Sequence, residues 1–570
     1  MLNYKRYKKD GKEWLETSLT GKPLLTTPQV NKGTAFTEYE REIFNLTGKL
    51  PASIESLATQ VKRAYLQFAS YHTPIQKNNF LHHLHDQNET LFYRLVKEYL
   101  PEMLPIIYTP TVGQAVKAFS HDFSQTRGIY LAYPDRHRIH EILRNRSNPE
   151  VDLIVVTDGE GVLGIGDQGI GGMAIPIAKL MVYTLCGCID PARTLAIQLD
   201  VGTNNSELLN DPLYLGWRHP RLSQQEYDEF IDLFISAVKE EFPNIFLHWE
   251  DFGRDNARRN LERFQNELCT FNDDIQGTGA VTLAALLAAV EATNTSLSHH
   301  KIVVFGAGTA GTGITDQICA ALVREGLTLE EARQRFWLID RQGLLLDEME
   351  TLTPSQKIYA RPTQECIAWP RLHSDFISLL DTVKMVKPTI LIGCSARTGA
   401  FTRELIQEMA YYVEHPIILP LSNPNEYCEA EPVDIMTWTQ GKALIATGSP
   451  FNNITVNGNE TRIAQCNNAL VFPGIGLGIL AVKATQLTDN MIWVACQTLS
   501  EHAPVRHDLS LPLLPSIEEA QAISYKIAVA VAKQAQKENV AQITNENIEK
   551  LINDISWEAN YIPYQKISDY

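Results

Sequence analysis

The sequence predicts an α/β protein with a helical N-terminal region, a central α/β domain and a doubly wound parallel sheet in its second half. At 570 residues the chain is too long for a single core. Between residues 51 and 120, apolar residues recur at spacings of three and four, which indicates amphipathic helices. After residue 300, short apolar segments alternate with helical patterns, and this alternation is typical of a parallel sheet.

Changes in these patterns suggest where the domains begin and end. We predict a helical N-terminal region, a central α/β domain, a domain built on the parallel sheet, a segment that packs back onto the central domain, and a C-terminal tail. Their predicted ranges are 1–125, 126–277, 278–466, 467–540 and 541–570, respectively. The first 35 residues are polar and basic, and we expect them to form an arm.

Composition limits the classes of function. The net charge of −17 argues against a nucleic acid or an anionic membrane surface as the main partner. Nine cysteines without a C-x-x-C pair indicate neither a zinc site nor a disulfide framework. The N-terminus lacks the apolar core of a signal peptide, and the apolar runs are shorter than the roughly 18 residues that a membrane span needs. We therefore expect a cytoplasmic protein with no nucleic-acid or membrane partner.

Two acidic doublets are the strongest chemical signal. Glu250 and Asp251 follow the apolar run NIFLHW, and Asp273 and Asp274 lie between an apolar stretch and a glycine-flanked turn that opens a helix. Either doublet alone is typical of a solvated surface, but charges beside buried apolar strands need partners. Carboxylates from two segments suit a hard divalent cation. The sequence thus predicts an Mg²⁺ or Mn²⁺ site.

Two loops fit the G-x-G-x-x-G pattern of dinucleotide-binding proteins. Gly306, Gly308 and Gly311 come directly after an apolar strand and open a helix, where backbone N–H groups can approach a pyrophosphate. GIGDQG (164–169) fits the same template, but Asp167 inside that loop would oppose the phosphate charge. We therefore assign the cofactor to the first loop.

An acidic residue at the end of the next strand selects the cofactor. Asp340 lies 34 residues after Gly306 and is a candidate to bind the adenosine ribose hydroxyls, which favours NAD over NADP. Arg341 beside it could instead receive a phosphate.

Long motifs in a fixed order resemble the malic enzymes, most closely the bacterial NAD-dependent, oxaloacetate-decarboxylating kind. They are YTPTVG (108–113), VVTDGEGVLGIGDQGIGGMAIPIAKL (155–180), LDVGTNN (199–205), WEDFG (249–253), FNDDIQGTG (271–279), VFGAG (304–308), PLSNPN (420–425) and AQCNNALVFPGIGLG (464–478). The resemblance extends from about residue 30 to the C-terminus. It implies a Rossmann-type NAD-binding domain, a homodimer or homotetramer, and metal-dependent oxidative decarboxylation of L-malate to pyruvate and carbon dioxide, with oxaloacetate decarboxylation as a further activity.

Matched position by position, the resemblance also implies roles for single residues. Glu250, Asp251 and Asp274 would bind the metal, Lys179 would be the general base, Tyr108 the acid that protonates the enol, and Asp273 the carboxylate that holds Lys179 in place. Asn423 and Asn468 would bind the substrate carboxylate, and Asn423 would also contact the cofactor.

One position departs from the family. Malic enzymes have an arginine two residues after VVTDG that pairs with the substrate carboxylate, and this chain has Gly161 there. Malolactic enzymes, which convert malate to lactate with retained NAD, share EG followed by an apolar residue at this place. Malolactic enzyme is therefore the alternative, and a non-catalytic NAD-binding sensor is a third hypothesis. His82, His83 and His85 are expected to lie on a solvated helical face.

Overall fold

The computed structural model describes residues 4–9, 11–123, 125–146, 148–162, 164–369, 371, 376–456 and 458–567. These residues form two compact units. The first unit comprises residues 1–155, 169–245 and 555–570, and the second comprises 156–168 and 246–554. The predicted domain boundaries follow a finer division and stay predictions.

The strands are, in chain order, β1 Tyr4–Lys9, β2 Lys12–Thr17, β3 Ile129–Ala132, β4 Leu153–Thr157, β5 Thr194–Asp200, β6 Phe246–Trp249, β7 Thr270–Asn272, β8 Ile302–Phe305, β9 Phe336–Asp340, β10 Gly343–Leu344, β11 Ile390–Gly393, β12 Ile417–Pro420, β13 Leu444–Thr447, β14 Ile454–Val456, β15 Asn459–Thr461, β16 Ala464–Gln465 and β17 Tyr564–Lys566.

The helices are α1 Gly21–Leu25, α2 Glu38–Ile43, α3 Leu57–Ala69, α4 Pro74–Gln87, α5 Glu89–Glu98, α6 Leu100–Ile107, α7 Val112–Ala118, α8 Ile139–Arg144, α9 Ala174–Gly187, α10 Ser206–Asn210, α11 Gln224–Glu241, α12 Arg254–Phe264, α13 Thr278–Ala292, α14 Thr309–Arg324, α15 Leu329–Arg333, α16 Pro354–Lys357, α17 Thr363–Cys366, α18 Leu379–Val386, α19 Arg403–Tyr412, α20 Pro432–Trp438, α21 Phe472–Val482, α22 Asp489–Glu501, α23 Ala520–Lys537 and α24 Ile548–Ile555. A π-helical turn, Asp273–Gly277, precedes α13.

The first unit begins with a three-stranded sheet rather than an arm. β1 and β2 pair as an antiparallel hairpin, and β17 pairs parallel to β2. Leu15 of β2 and Tyr564 of β17 are buried in a small apolar core. A buried ion pair lies beside this core, because Lys32 Nζ is 2.6 Å from Glu40 Oε1, and the same carboxylate oxygen accepts the backbone N–H of Tyr564.

The helical region of the first unit follows the predicted pattern, but one expectation there is wrong. His85 of α4 is only 3% exposed, and its ring stacks on Phe92 with ring centroids 4.3 Å apart. His83 on the same helix is exposed, as expected. The helix therefore buries one face that includes a histidine, against the neighbouring α5, because His85 lies on the same side as Leu81 and Leu84.

The second unit contains the predicted parallel sheet. Its order is β10-β9-β8-β11-β12-β13-β16; among the described residues the short edge strand β10 runs antiparallel to β9 and the other neighbouring strands are parallel. The strand order reverses between β8 and β11, which pair directly. In doubly wound sheets, ligands bind at the carboxyl ends of strands at this reversal.

Two apolar helical stretches are long enough to cross a membrane by length and composition. They are residues 169–187 and 273–292, with 94% and 78% of their most apolar windows buried in the fold. Such burial is what core helices show. All nine cysteines are free, in agreement with the absence of a disulfide pattern in the sequence.

Candidate active site

Three carboxylates converge in the second unit, as the two acidic doublets predict. Glu250 and Asp251 follow β6, and Asp274 lies in the π-helical turn after β7. β6 and β7 are parallel neighbours, so their carboxyl ends meet at the same edge. Single ligand oxygens of the three residues lie within 4.8 Å of one another.

The backbone fixes this cluster from two sides. Asp251 has a left-handed conformation with φ of 56°, and its N–H donates to Asp274 Oδ2 over 2.8 Å. Its carbonyl oxygen accepts the N–H of Gly161 over 3.0 Å. A left-handed aspartate is uncommon and costs free energy that surrounding contacts must offset. The site thus holds Asp251 in one orientation.

The donor set fits Mg²⁺ or Mn²⁺. Glu250 and Asp251 are each 3% exposed, and Asp274 is half-buried. Three carboxylates crowded in a largely dry place repel one another, and a divalent cation is the counter-charge that an oxygen-only set selects. Glu250, Asp251 and Asp274 are therefore the residues that would hold it.

Asp273, next to this cluster, has a different partner. It is fully buried, and Asn468 Nδ2 donates to its Oδ2 over 2.9 Å and to Thr278 Oγ1 over 3.0 Å. The amide of Asn468 thus holds Asp273 and the start of α13. Asn467 caps the following 3₁₀ turn through Ala469.

The first unit brings Lys179 and Tyr108 together. Lys179 lies in α9 and is 2% exposed, and Tyr108 ends α6 and is 7% exposed. The ammonium nitrogen lies 5.2 Å from the centre of the tyrosine ring. At this burial Lys179 does not lie on the helix surface, and a buried amine beside a phenol can exchange protons with substrate.

The glycine loop after β8 forms a dinucleotide cradle. Gly306 has φ of 102°, and a Cβ there would lie 2.4 Å from the backbone of Cys394 in the loop after β11. A Cβ at Gly311 would lie 2.0 Å from the carbonyl oxygen of Gly306. Only glycine permits both approaches, and α14 starts at Thr309, so that Gly306 precedes the helix and Gly311 lies in its first turn. The loop therefore fits a pyrophosphate at the helix N-terminus.

The second loop that fits the G-x-G-x-x-G pattern, GIGDQG (164–169), places its first glycine against another loop. β4 ends at Thr157, so GIGDQG does not follow a strand directly. A Cβ at Gly164 would lie 2.7 Å from the carbonyl oxygen of Asn423. Gly164 thus permits two loops to approach each other, which supports the assignment of the cofactor to Gly306, Gly308 and Gly311.

The sequence patterns did not identify two residues that lie near the glycine loop. A Cβ at Gly308 would lie 3.6 Å from a guanidinium nitrogen of Arg254, so this cation lies beside the phosphate loop. Gln356 Nε2 donates to Asp340 Oδ2 over 2.9 Å and to the carbonyl oxygen of Ala307 over 3.0 Å. Gln356 therefore ties the ribose-binding candidate to the glycine loop. No local motif marks either residue, because the fold creates both contacts.

The loop of Asn423 is held by neighbouring hydroxyl groups. Ser449 Oγ donates to Asn423 Oδ1, which leaves the amide N–H groups of Asn423 for other acceptors. The adjacent Ser422 donates to the fully buried carboxylate of Glu429 over 2.5 Å. The orientation of the Asn423 amide is thereby fixed.

The backbone around Gly161 leaves no room for a side chain. A Cβ at this position would lie 2.5 Å from the carbonyl oxygen of Phe252. The arginine that malic enzymes carry here could be accommodated only if the segment after β6 moved. The absence of the arginine is therefore built into the local backbone.

Comparisons with known proteins identify the family of this chain. The family model of the malic enzyme N-terminal domain matches residues 85–265, and that of the malic enzyme NAD-binding domain matches residues 275–536. The NAD-dependent malic enzymes of Salmonella typhimurium and Salmonella typhi are each 50% identical to this chain over 549 residues, which cover 96% of this chain and 97% of theirs.

Two crystal structures share the fold. The malic enzyme of Entamoeba histolytica has a TM-score of 0.55 at 23% identity and covers 90% of each chain. The malic enzyme of Pyrococcus horikoshii has a TM-score of 0.54 at 22% identity and covers 80% of this chain and 89% of its own. With both family models matched and relatives at 50% identity, the chain belongs to the malic enzyme family.

Proposed function

We propose that this protein catalyses the oxidative decarboxylation of L-malate to pyruvate and carbon dioxide with reduction of NAD. The observation that carries the proposal is the convergence of Glu250, Asp251 and Asp274 at one edge of a sheet, in the same unit as the glycine cradle. A relative that is 50% identical over 96% of the chain and is named an NAD-dependent malic enzyme supports it.

Different side chains carry out the proton transfers and the binding of the metal. Lys179 Nζ takes the hydroxyl proton of malate, and the Tyr108 hydroxyl delivers a proton to the enol carbon after carbon dioxide leaves. Glu250, Asp251 and Asp274 hold the divalent cation, which when bound supplies a Lewis acid that polarises the substrate oxygens. The pairing of Asp273 with Lys179 that the family resemblance implies stays a prediction.

The substrate carboxylate depends on amides rather than on an arginine at position 161. Asn423, oriented by Ser449, offers amide N–H groups. Asn468, the second amide that the family resemblance implies, already donates to Asp273 and Thr278, so Asn423 is the better supported of the two. Neutral amide donors make weaker contacts with a carboxylate than a bidentate guanidinium does. We therefore propose that malate binds weakly and that the Michaelis constant of the enzyme for malate is high.

The cofactor is NAD, because a carboxylate stands where the adenosine ribose is expected. Gln356 donates to Asp340 Oδ2 and the backbone N–H of Arg341 donates to Oδ1, so the carboxylate is held in place. A fixed negative charge there repels the phosphate of NADP. Asp340→Ala should narrow the preference for NAD, measured as the ratio of the two kcat/KM values, with Asp347→Ala as a control at another acidic position of the same unit.

Product analysis tests the function. Enzyme supplied with L-malate, NAD and Mn²⁺ should release pyruvate and one NADH for each malate consumed. Lactate without free NADH would instead identify a malolactic enzyme, which the glycine at position 161 keeps as the second candidate. NAD binding without malate turnover under any metal would favour a sensor.

A metal-ligand variant is the matched control for this assay. Asp274→Asn keeps the size of the side chain but removes one carboxylate, and it should abolish both malate oxidation and decarboxylation of added oxaloacetate. Full turnover by this variant, or by wild-type enzyme after exhaustive chelation, would contradict the metal site.

We also propose a cytoplasmic homodimer or homotetramer that acts on small molecules without a nucleic-acid or membrane partner. The net charge of −17 supports the absence of a nucleic-acid partner. Sedimentation velocity at several protein concentrations tests the assembly, and a monomer at all concentrations would contradict it.

A further inference from the structure

A buried histidine lies directly behind the carboxylate cluster. His248 is in β6, two residues before Glu250, and is fully buried. Its ring meets Phe271 and Phe472 edge to face, with centroids 5.3 Å and 5.8 Å away. These aromatic contacts leave the imidazole little freedom to turn.

One ring nitrogen of His248 faces a proposed metal ligand. His248 Nε2 lies 2.6 Å from Glu250 Oε2, which is hydrogen-bond distance. Because a carboxylate can only accept, Nε2 must carry the proton that it donates. The hydrogen bond therefore fixes Glu250 Oε2 relative to the buried imidazole.

We propose that His248 is a positioning residue for the metal site, acting through Glu250. The hydrogen bond holds the carboxylate in the orientation in which Glu250, Asp251 and Asp274 converge. The inference deepens the metal-dependent function proposed above and rests on it. Hydrogen bonds to ligating groups orient the ligands of metal sites, and their loss typically costs about 10-fold to 100-fold in metal affinity.

The same residues permit a competing arrangement. Ligand atoms of His248, Glu250 and Asp273 also lie within 4.8 Å of one another, so His248 could itself bind a cation. Two arguments favour the positioning role. Nε2, which donates its proton to Glu250, has no lone pair left for a metal, so a cation could bind His248 only through Nδ1, and Mg²⁺ prefers the set composed only of oxygens.

Direct titration of the metal-free full-length protein tests the proposal. The dissociation constant of Mn²⁺ is measured without malate or NAD, from the electron paramagnetic resonance signal of free Mn²⁺. His248→Leu, which removes the donor, should raise this constant about 10-fold to 100-fold. His248→Gln, which keeps an N–H donor, should stay within a few-fold of wild type. His299→Leu at an exposed position of the same unit is the control and should not change it.

Pulsed electron paramagnetic resonance separates the two arrangements. Mn²⁺ bound to the wild type should show no coupling to a directly bound nitrogen. A strong nitrogen coupling that disappears in His248→Gln would overturn the proposal and make His248 a ligand. Equal Mn²⁺ affinities for the leucine variant and the wild type would also overturn it. If the leucine variant does not fold, the glutamine variant and the spectrum still decide.

The same measurements distinguish failure of this inference from failure of the function. Wild-type protein that binds Mn²⁺ with the expected order of variants but does not oxidise malate would contradict the function and leave the role of His248 in place. Wild-type protein that oxidises malate with equal Mn²⁺ affinity in all variants would contradict only the role of His248.

Discussion

Substitution of Gly161 tests how the protein binds malate without the family arginine. Gly161→Ala places a Cβ 2.5 Å from the carbonyl oxygen of Phe252, where ordinary contacts begin near 3.4 Å. The two backbone segments must therefore move apart by about 0.9 Å, from 2.5 Å to 3.4 Å, to restore an ordinary contact. Overpacking of this kind costs about 1–3 kcal/mol. We expect Gly161→Ala to lower the melting temperature, and Gly161→Arg to lower it at least as much.

The substitution at Gly161 should also weaken metal binding. The N–H of Gly161 donates to the carbonyl oxygen of Asp251, so a shift of this segment moves a proposed metal ligand. We expect weaker Mn²⁺ binding by Gly161→Ala, measured by calorimetric titration. Gly166→Ala in the same loop is the matched control: it has φ of 75° but nothing within 4 Å, so it adds backbone strain without overlap. It should lower stability without changing Mn²⁺ affinity.

The outcome that would refute this reasoning is specific. A Gly161→Arg variant that has the melting temperature of the wild type and binds malate more tightly would show that the backbone near position 161 can move and accommodate the arginine. In that case the close approach of Phe252 would not explain why the arginine is missing.

Three further results are expected. Lys179→Ala should lower malate oxidation by about 10²-fold to 10⁴-fold with unchanged NAD affinity, and a parallel loss of NAD affinity in calorimetry would make the residue structural. Arg254→Leu should raise the dissociation constant of NAD by up to about fivefold, since the cation is exposed, and an unchanged constant would remove it from the phosphate site. Burial, and next the charge of Arg127, holds the pKa of His85 well below its ordinary value of 6.5. The unfolded chain therefore binds a proton that the native protein does not, so this contribution to stability is complete above pH 6.5 and is lost as the pH falls below it. Urea unfolding from pH 7.5 to 5 should show a weaker pH dependence for His85→Gln, whereas the exposed control His83→Gln should match the wild type.

The features that the sequence predicted correctly are those with local signals. The strands of the second unit are short apolar runs that end in glycine or polar loops, and the acidic doublets follow directly from two such runs. Once parallel strands are inferred, their carboxyl ends must meet, so the convergence of Glu250, Asp251 and Asp274 could be expected.

The features that were missed depend on contacts between distant segments. The hairpin of β1 and β2 is rich in lysine and looks like a solvated arm, although Asp10 and Gly11 are a recognised hairpin signal. The position of Arg254 beside the glycine loop and the lack of room for a Cβ at Gly161 arise from backbone positions that no spacing reveals. His248 could have been found, because residues two apart in a strand point to the same face.

The sheet formed by β1, β2 and β17 can be completed only late in synthesis of the chain. Tyr564 in β17 seals the apolar core and supplies the N–H that binds Glu40, but 546 residues separate it from Thr17 in the strand β2 that it joins. At about 5–20 residues per second, a ribosome needs from about half a minute to about two minutes to make the intervening chain. During that time the pair of Lys32 and Glu40 lacks the strand β17, which supplies the N–H of Tyr564 to Glu40. The first unit therefore cannot complete this sheet until residue 564 has been made, and a chain that ends before residue 564 lacks the third strand and the N–H that binds Glu40.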